Sequence, residues 1–112
     1  MEPKEYLPLT ETSFFILLCL ATSPKHGYAI MKEVETISEA RVVLATGTLY
    51  SALRRMLDDG WIERLEDTPV INGRERKHYR LTEHGRSILE AEIGRLCKLA
   101  SLPQLKDLRG EG

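Results

Sequence analysis

Between Gly47 and Leu81 the hydrophobic pattern changes period, and the stops that frame the change limit what can form there. Leu49, Leu53, Met56 and Leu57 recur at the spacing of one helical face, and Gly60 ends the run. Trp61 to Leu65 reads as a strand, weakened at Asp67-Thr68-Pro69. Asn72-Gly73 is the strongest short hairpin signal a sequence offers, because both residues accept positive φ. On the return strand, alternation puts Arg74, Arg76, His78 and Arg80 on one face. Glu75, Lys77, Tyr79 and Leu81 fall on the other, with Tyr79 and Leu81 expected in the core. A short amphipathic helix feeding a hairpin with a basic return strand is the order a winged helix needs. It holds DNA by a groove and by the backbone beside it.

The residues before this stretch supply two more helices. The first starts near Thr10 or Thr12, either of which can cap it, and ends before Pro24. Its centre, Phe14 to Leu20, is apolar all the way round, so it is expected to be buried on more than one side. The second runs from His26-Gly27-Tyr28 to about Ile37. Tyr28, Met31, Val34 and Ile37 mark its inner face, with Ile30 beside them and Lys32, Glu33 and Glu35 facing out. Arg41-Val42-Val43-Leu44 is a β-branched patch suited to a third strand on the hairpin. Thr46 is placed to cap the third helix through its hydroxyl.

A final helix follows Thr82 and ends at Pro103. Ile88, Leu89, Ile93, Leu96, Leu99 and Ala100 form its apolar stripe, with Glu90, Glu92, Arg95 and Lys98 outside. A helix of this kind projecting past a small domain needs something to pack on. The two-faced first helix is the candidate, in a twofold dimer. Phe14, Leu17, Leu18, Leu89, Ile93, Leu96 and Ala100 are the expected interface. The resulting plan is mainly α with a small β-hairpin. A winged helix-turn-helix occupies 1–81, a C-terminal dimerisation helix 82–103 and a frayed tail 104–112.

With 112 residues the chain is read as one domain, with no room for a separate ligand-binding domain. Any small-molecule effector would therefore sit at the dimer interface. The net charge is -1, but four Lys/Arg residues stand against one Glu between Arg74 and Arg80. Distribution matters more than the sum for nucleic-acid binding. Cys19 and Cys97 lie far apart without metal-type spacing, and both fall on apolar faces as small hydrophobes of a reducing compartment. Phe14 to Ala21 is too short to span a bilayer and lacks signal-peptide flanks, so the chain is read as cytoplasmic with no membrane partner. No activated nucleophile, metal cluster or cofactor motif points to an enzyme.

The third helix turns Thr48, Ser51, Ala52 and Arg55 away from the core, with Tyr50 and Arg54 on the flank. Small polar residues with arginine suit close approach to bases and phosphates, although an ordinary solvated face has the same pattern. The hairpin charges likewise suit phosphates or the protection of an edge strand.

The whole arrangement resembles the PadR family of bacterial transcriptional regulators. The resemblance rests on Leu9-Thr10, His26-Gly27-Tyr28, Gly47-Thr48-Leu49-Tyr50, Gly60-Trp61-Ile62 and Tyr79-Arg80-Leu81-Thr82, with Leu53, Leu57 and Gly85. It covers roughly residues 7 to 100. The family often carries Pro or Gly where Thr46 stands here. The short C-terminal part is similar to the subgroup with one long helix. The resemblance implies a winged-helix domain, a dimerisation helix and repression through operator DNA, with Tyr28 and Tyr50 at the DNA face. On this reading Thr46, Thr48, Ser51 and Arg55 lie closest to bases, and Tyr28, Tyr50 and Arg54 hold phosphates. Arg74, Arg76, Lys77 and His78 reach the neighbouring backbone or minor groove. The rival is a winged helix that binds proteins and not double-stranded DNA.

Overall fold

One apolar helix organises the chain. In the computed structural model, which describes residues 2–65, 70–71, 74–75 and 77–110, α1 spans Glu11–Thr22. Thr10 caps it, its hydroxyl accepting the Ser13 N–H at 3.1 Å. Ile16, Leu17, Cys19 and Leu20 are buried, and Phe14, Phe15, Leu18 and Ala21 are half-buried around them. Lys25 closes the C-terminal end by donating to the Cys19 carbonyl at 2.5 Å, a cation where the helix dipole is negative. Burial, and then the neighbouring Glu33 carboxylate, push the Cys19 thiol up to about 12.

His26 caps α2 (Gly27–Ile37): its Nδ1 accepts the Ala29 N–H at 3.2 Å. The inner face is Gly27, Ile30 and Val34, a correction to the expected stripe, because Tyr28 and Ile37 are exposed. Glu33, expected in solvent, is half-buried and lies 3.3 Å from the Lys25 ammonium. The chain reverses through Glu39 and Ala40, both left-handed with φ of 54° and 63°. The buried Ser38 hydroxyl then accepts the Val42 N–H at 3.0 Å. That bond takes an amide a strand would have used, and residues 41–44 form no strand. The third strand of the sheet is instead β1 (Lys25–His26), ahead of α2.

The next helix, α3, spans Thr46–Asp58. Ala45 is its N-cap, with no side-chain cap bond, so Thr46 is the first helical residue and not the cap. Leu49, Leu53 and Met56 are buried as expected, and so is Ala52, which the sequence pattern puts outside. Gly60, at φ 76°, closes the helix: Trp61 N–H donates to the Met56 carbonyl at 2.9 Å and Gly60 N–H to the Leu57 carbonyl at 3.1 Å. The hairpin comprises β2 (Ile62–Leu65), β3 (Val70–Ile71), β4 (Arg74–Glu75) and β5 (His78–Leu81). The main sheet is antiparallel in the order β1-β5-β2, with Arg64 opposite Tyr79 and His26 opposite His78. Further out, Ile71 pairs with Arg74. Asp67-Thr68-Pro69, the Asn72-Gly73 turn and Arg76 lie outside the described residues.

Thr82 caps α4 (Glu83–Ala100), accepting the Gly85 N–H at 3.0 Å. The Thr82 amide donates to the Trp61 carbonyl at 3.0 Å and its hydroxyl to the Gly60 carbonyl at 2.6 Å. Gly85 lies so close to that Trp61 carbonyl that a Cβ there would collide with it. Beyond this junction α4 buries Ile88, Leu89 and Glu92. Glu92 is not on the solvent face as its charge suggests: it accepts the Leu9 N–H at 2.8 Å and pairs with Arg95. Leu17 and Leu89, expected at a subunit interface, are core residues of the single chain and have no surface left for a partner. Cys97 is exposed, not packed. Pro103 starts a further short helix, α5 (Pro103–Leu108), where a frayed tail is expected; proline suits a first helical turn.

Candidate nucleic-acid interface

α3 has two kinds of surface. Its buried side holds it against the core, and its outward side carries Thr46, Thr48, Tyr50, Ser51, Arg54 and Arg55, all exposed. One flank of the outward side borders the start of α1. Thr10, Thr12, Thr48, Ser51 and Arg55 line a shallow groove there of about 710 Å³. The other flank borders the sheet across a cleft of about 430 Å³, lined by Tyr50, Arg54, Asp58, Arg64 and Tyr79 over Leu53 and Leu57.

Tyr50 is 47% exposed, and its hydroxyl lies close to Gly27 at the start of α2. A Cβ on Gly27 would lie 2.5 Å from the Tyr50 hydroxyl oxygen, so the glycine is what lets the ring lie across the helix start. Tyr28 is 58% exposed and is not a core aromatic. It stacks on His26 with ring centres 6.4 Å apart, and Lys32 lies 5.6 Å from its ring centre. His26 in turn meets His78 edge-on at 5.5 Å across the β1–β5 pair. The structure thus gathers Tyr28, Tyr50 and His78 at one corner, where α2, α3 and the hairpin meet. Lys77 follows on the hairpin and is exposed. Arg80, of the same alternating set, is tied to Glu63 at 2.6 Å. Arg74 belongs to β4, but its side chain, like all of Arg76, lies outside what is described.

Sequence reasoning missed three participants. His26 acts through its cap and its stack, and the signal was a hydrogen-bonding side chain just before Gly27. Arg64 shares the face of Ile62 by strand alternation, but the core ends before it, leaving it in the cleft. Its guanidinium lies 6.0 Å from the ring centre of Tyr79. Burial raises the Tyr79 hydroxyl above its ordinary value, while the nearby Arg64 charge pulls it back. Thr12 joins the opposite groove, which nothing in a helical pattern reveals. Among the described residues no group of three His, Cys, Asp or Glu side chains is arranged to hold a metal, and no helix is long and apolar enough to cross a membrane.

Two helices joined by the eight-residue connection 38–45, the second presenting a polar and cationic face beside a β-hairpin, define a winged helix-turn-helix protein. The chain belongs to the transcriptional regulator PadR-like family, whose sequence model matches residues 16–91. It is 31% identical to a PadR-like transcription factor from Bacteroides fragilis, with a TM-score of 0.61 over 78% of this chain and 81% of that one. Its fold is also that of Bacillus subtilis PadR, solved in complex with operator DNA. There the TM-score is 0.67 at 23% identity, covering 77% of this chain and 47% of that one. A Streptomyces fradiae protein, the uncharacterized 37.1 kDa protein in transposon TN4556, is 36% identical over 90 residues. That match takes in 80% of this chain and 24% of the relative, so this chain spans about a quarter of that protein's length.

Proposed function

We propose that this chain is a cytoplasmic repressor that binds a pseudo-palindromic operator as a homodimer. The observation that carries the reading is the outward side of α3. Thr48, Ser51 and Arg55 stand exposed at its middle, short enough to let the helix enter a major groove and polar enough to meet base edges. Tyr28, Tyr50 and Arg54 lie on the flank toward the sheet and take phosphates, and Lys77 with His78 extends the contact along the hairpin. That Bacillus subtilis PadR, which shares this fold, was solved in complex with operator DNA supports DNA as the partner.

Dimerisation is supported by the outer half of α4. Ile93, Leu96 and Leu99 are 39–44% exposed on one row, and Leu102 continues it. Phe14 and Leu18 of α1, half-buried, add to the apolar surface offered to a second copy. Two copies related by a twofold axis would read half-sites about one or two helical turns apart.

Fluorescence anisotropy with the DNA upstream of the protein's own gene and a scrambled duplex, each at several salt concentrations, tests the reading. Selective binding with a steep salt dependence is expected. Arg55→Ala should relax discrimination at particular base pairs, whereas Lys77→Ala should weaken both duplexes alike. Weak and equal binding to both duplexes at low salt would overturn it.

A further inference from the structure

We propose that the cleft between α3 and the sheet is a seat for one backbone phosphodiester, with Arg64 as a clamp residue that faces Arg54 across it and Tyr79 as the residue that positions Arg64. This deepens the DNA-binding reading above and rests on it.

Two elements wall the cleft. Arg54 comes from the exposed side of α3 and Arg64 from β2, so the two guanidinium groups are carried on separate rigid elements. Among the described residues neither is in an ion pair. The floor is apolar, made by Leu53 and Leu57, which lowers the local dielectric and strengthens any charge interaction above it. Tyr50 also lines the cleft.

Arg64 is more constrained than an ordinary surface arginine. It stands directly opposite Tyr79 in the β2–β5 ladder, and its guanidinium lies 6.0 Å from the Tyr79 ring centre. Tyr79 is itself buried and cannot swing. An arginine held in place by a ring loses less entropy on binding an oxyanion, and its planar fork suits phosphate oxygens.

The charge balance selects the ligand. Arg54 and Arg64 contribute two positive charges and Asp58 one negative charge, leaving one net positive charge in the cleft. A phosphodiester carries one negative charge; a free phosphate near neutrality carries between one and two. The cleft also adjoins the outward side of α3, so a groove-bound duplex would run its backbone past the opening.

The test uses the intact chain and its upstream duplex. Arg64→Ala should weaken the operator and a scrambled duplex by the same factor, roughly tenfold per half-site, and make the log–log salt slope shallower by about 1.8, because the dimer loses one phosphate contact in each half-site. A set of duplexes, each with one neutral methylphosphonate, should contain one position per half-site that weakens the wild-type protein but no longer weakens Arg64→Ala. Tyr79→Leu, which removes the ring, should reduce the penalty at that position alone, a readout that general loosening of the fold would not give. Arg64→Lys, which keeps the charge, should retain the salt slope, whereas Arg64→Gln, which removes it, should lose as much slope as the alanine variant and serves if that variant folds poorly. An unchanged slope and unchanged methylphosphonate pattern in Arg64→Ala would overturn the clamp while leaving DNA binding intact. Failure of the wild type to bind either duplex would instead overturn the underlying reading. Loss of inorganic phosphate binding by Arg64→Ala, with DNA affinity unaltered, would reassign the cleft to a free oxyanion and overturn the proposal.

Discussion

α1 and the outer half of α4 are both apolar rows on helices, but the fold treats them differently. Every residue of α1 from Thr12 to Ala21 is buried or half-buried within its own chain. On α4, burial stops at Glu92, and Ile93, Leu96 and Leu99 stand partly in water. Helical periodicity says that a face is to be covered; it does not say whether by the same chain or by another copy. The distinguishing fact is tertiary. α1 lies between the other elements, whereas α4 runs past the last of them.

The contrast can be broken most forcefully at Leu17. Leu17→Ala empties a site with no solvent exposure and should cost about 2–5 kcal/mol of stability, read as a fall in the urea midpoint. Leu96→Glu should leave helix content unchanged but yield monomers in sedimentation. An intact dimer would remove α4 from the interface, and a molten chain would mean that Leu96 belongs to the core.

Glu92 marks the border between the two halves of α4, and its effect should be smaller. The hydrogen bond from Arg95 holds its carboxyl below the ordinary value of 4.5, with the Leu9 amide assisting and burial opposing. A carboxyl with a lowered folded pKa binds fewer protons folded than unfolded. Its stabilisation is therefore present above pH 4.5 and lost as pH falls through the lowered value. Glu92→Gln should cost about 1–3 kcal/mol at neutral pH, and the gap to wild type should close in acid. A pH-independent gap would mean that the bond to Arg95 contributes nothing through charge.

The smallest effect concerns the two thiols, one on each helix. Cys97 should react with a thiol reagent at once in a Leu96→Glu background and more slowly in the wild type. Cys19, buried and pushed up to about 12, should react in neither until the chain unfolds. Equal rates for Cys97 in both proteins would place it away from the subunit contact.

Much of the fold was legible because local rules agree with the global one here. Thr10 and Thr82 cap helices as their sequence contexts suggest, and Gly60 stops α3. The errors share a cause. Thr46, Val42 and Tyr28 each have the right propensity for the role expected of them, and each is overridden by a close neighbour whose local geometry propensity does not encode. Ala45 already caps α3, Ser38 takes the Val42 amide, and Tyr28 stacks on His26 at the surface instead of entering the core. Glu92 looked solvated because a carboxylate on a helix is usually in water; its partner, the Leu9 amide, is 83 residues away. Of the candidate interface, the α3 face could be read from periodicity alone. The cleft beside it could not, since Arg64 and Arg54 come to line one cleft only through the packing of sheet on helix.

The contact of Gly85 with the Trp61 carbonyl bears on how such a protein could change its target. The heading of α4 is set there by main chain packed against main chain, pinned by the Thr82 hydroxyl, which bonds Gly60 and Gly85. In the proposed dimer, that heading determines how far apart the two reading helices lie. The residues that would choose bases are on α3 and face outward, free to vary without disturbing the junction. Descendants of this chain could therefore acquire a new vocabulary while keeping the old metre: altered letters in each half-site, and the same distance between them.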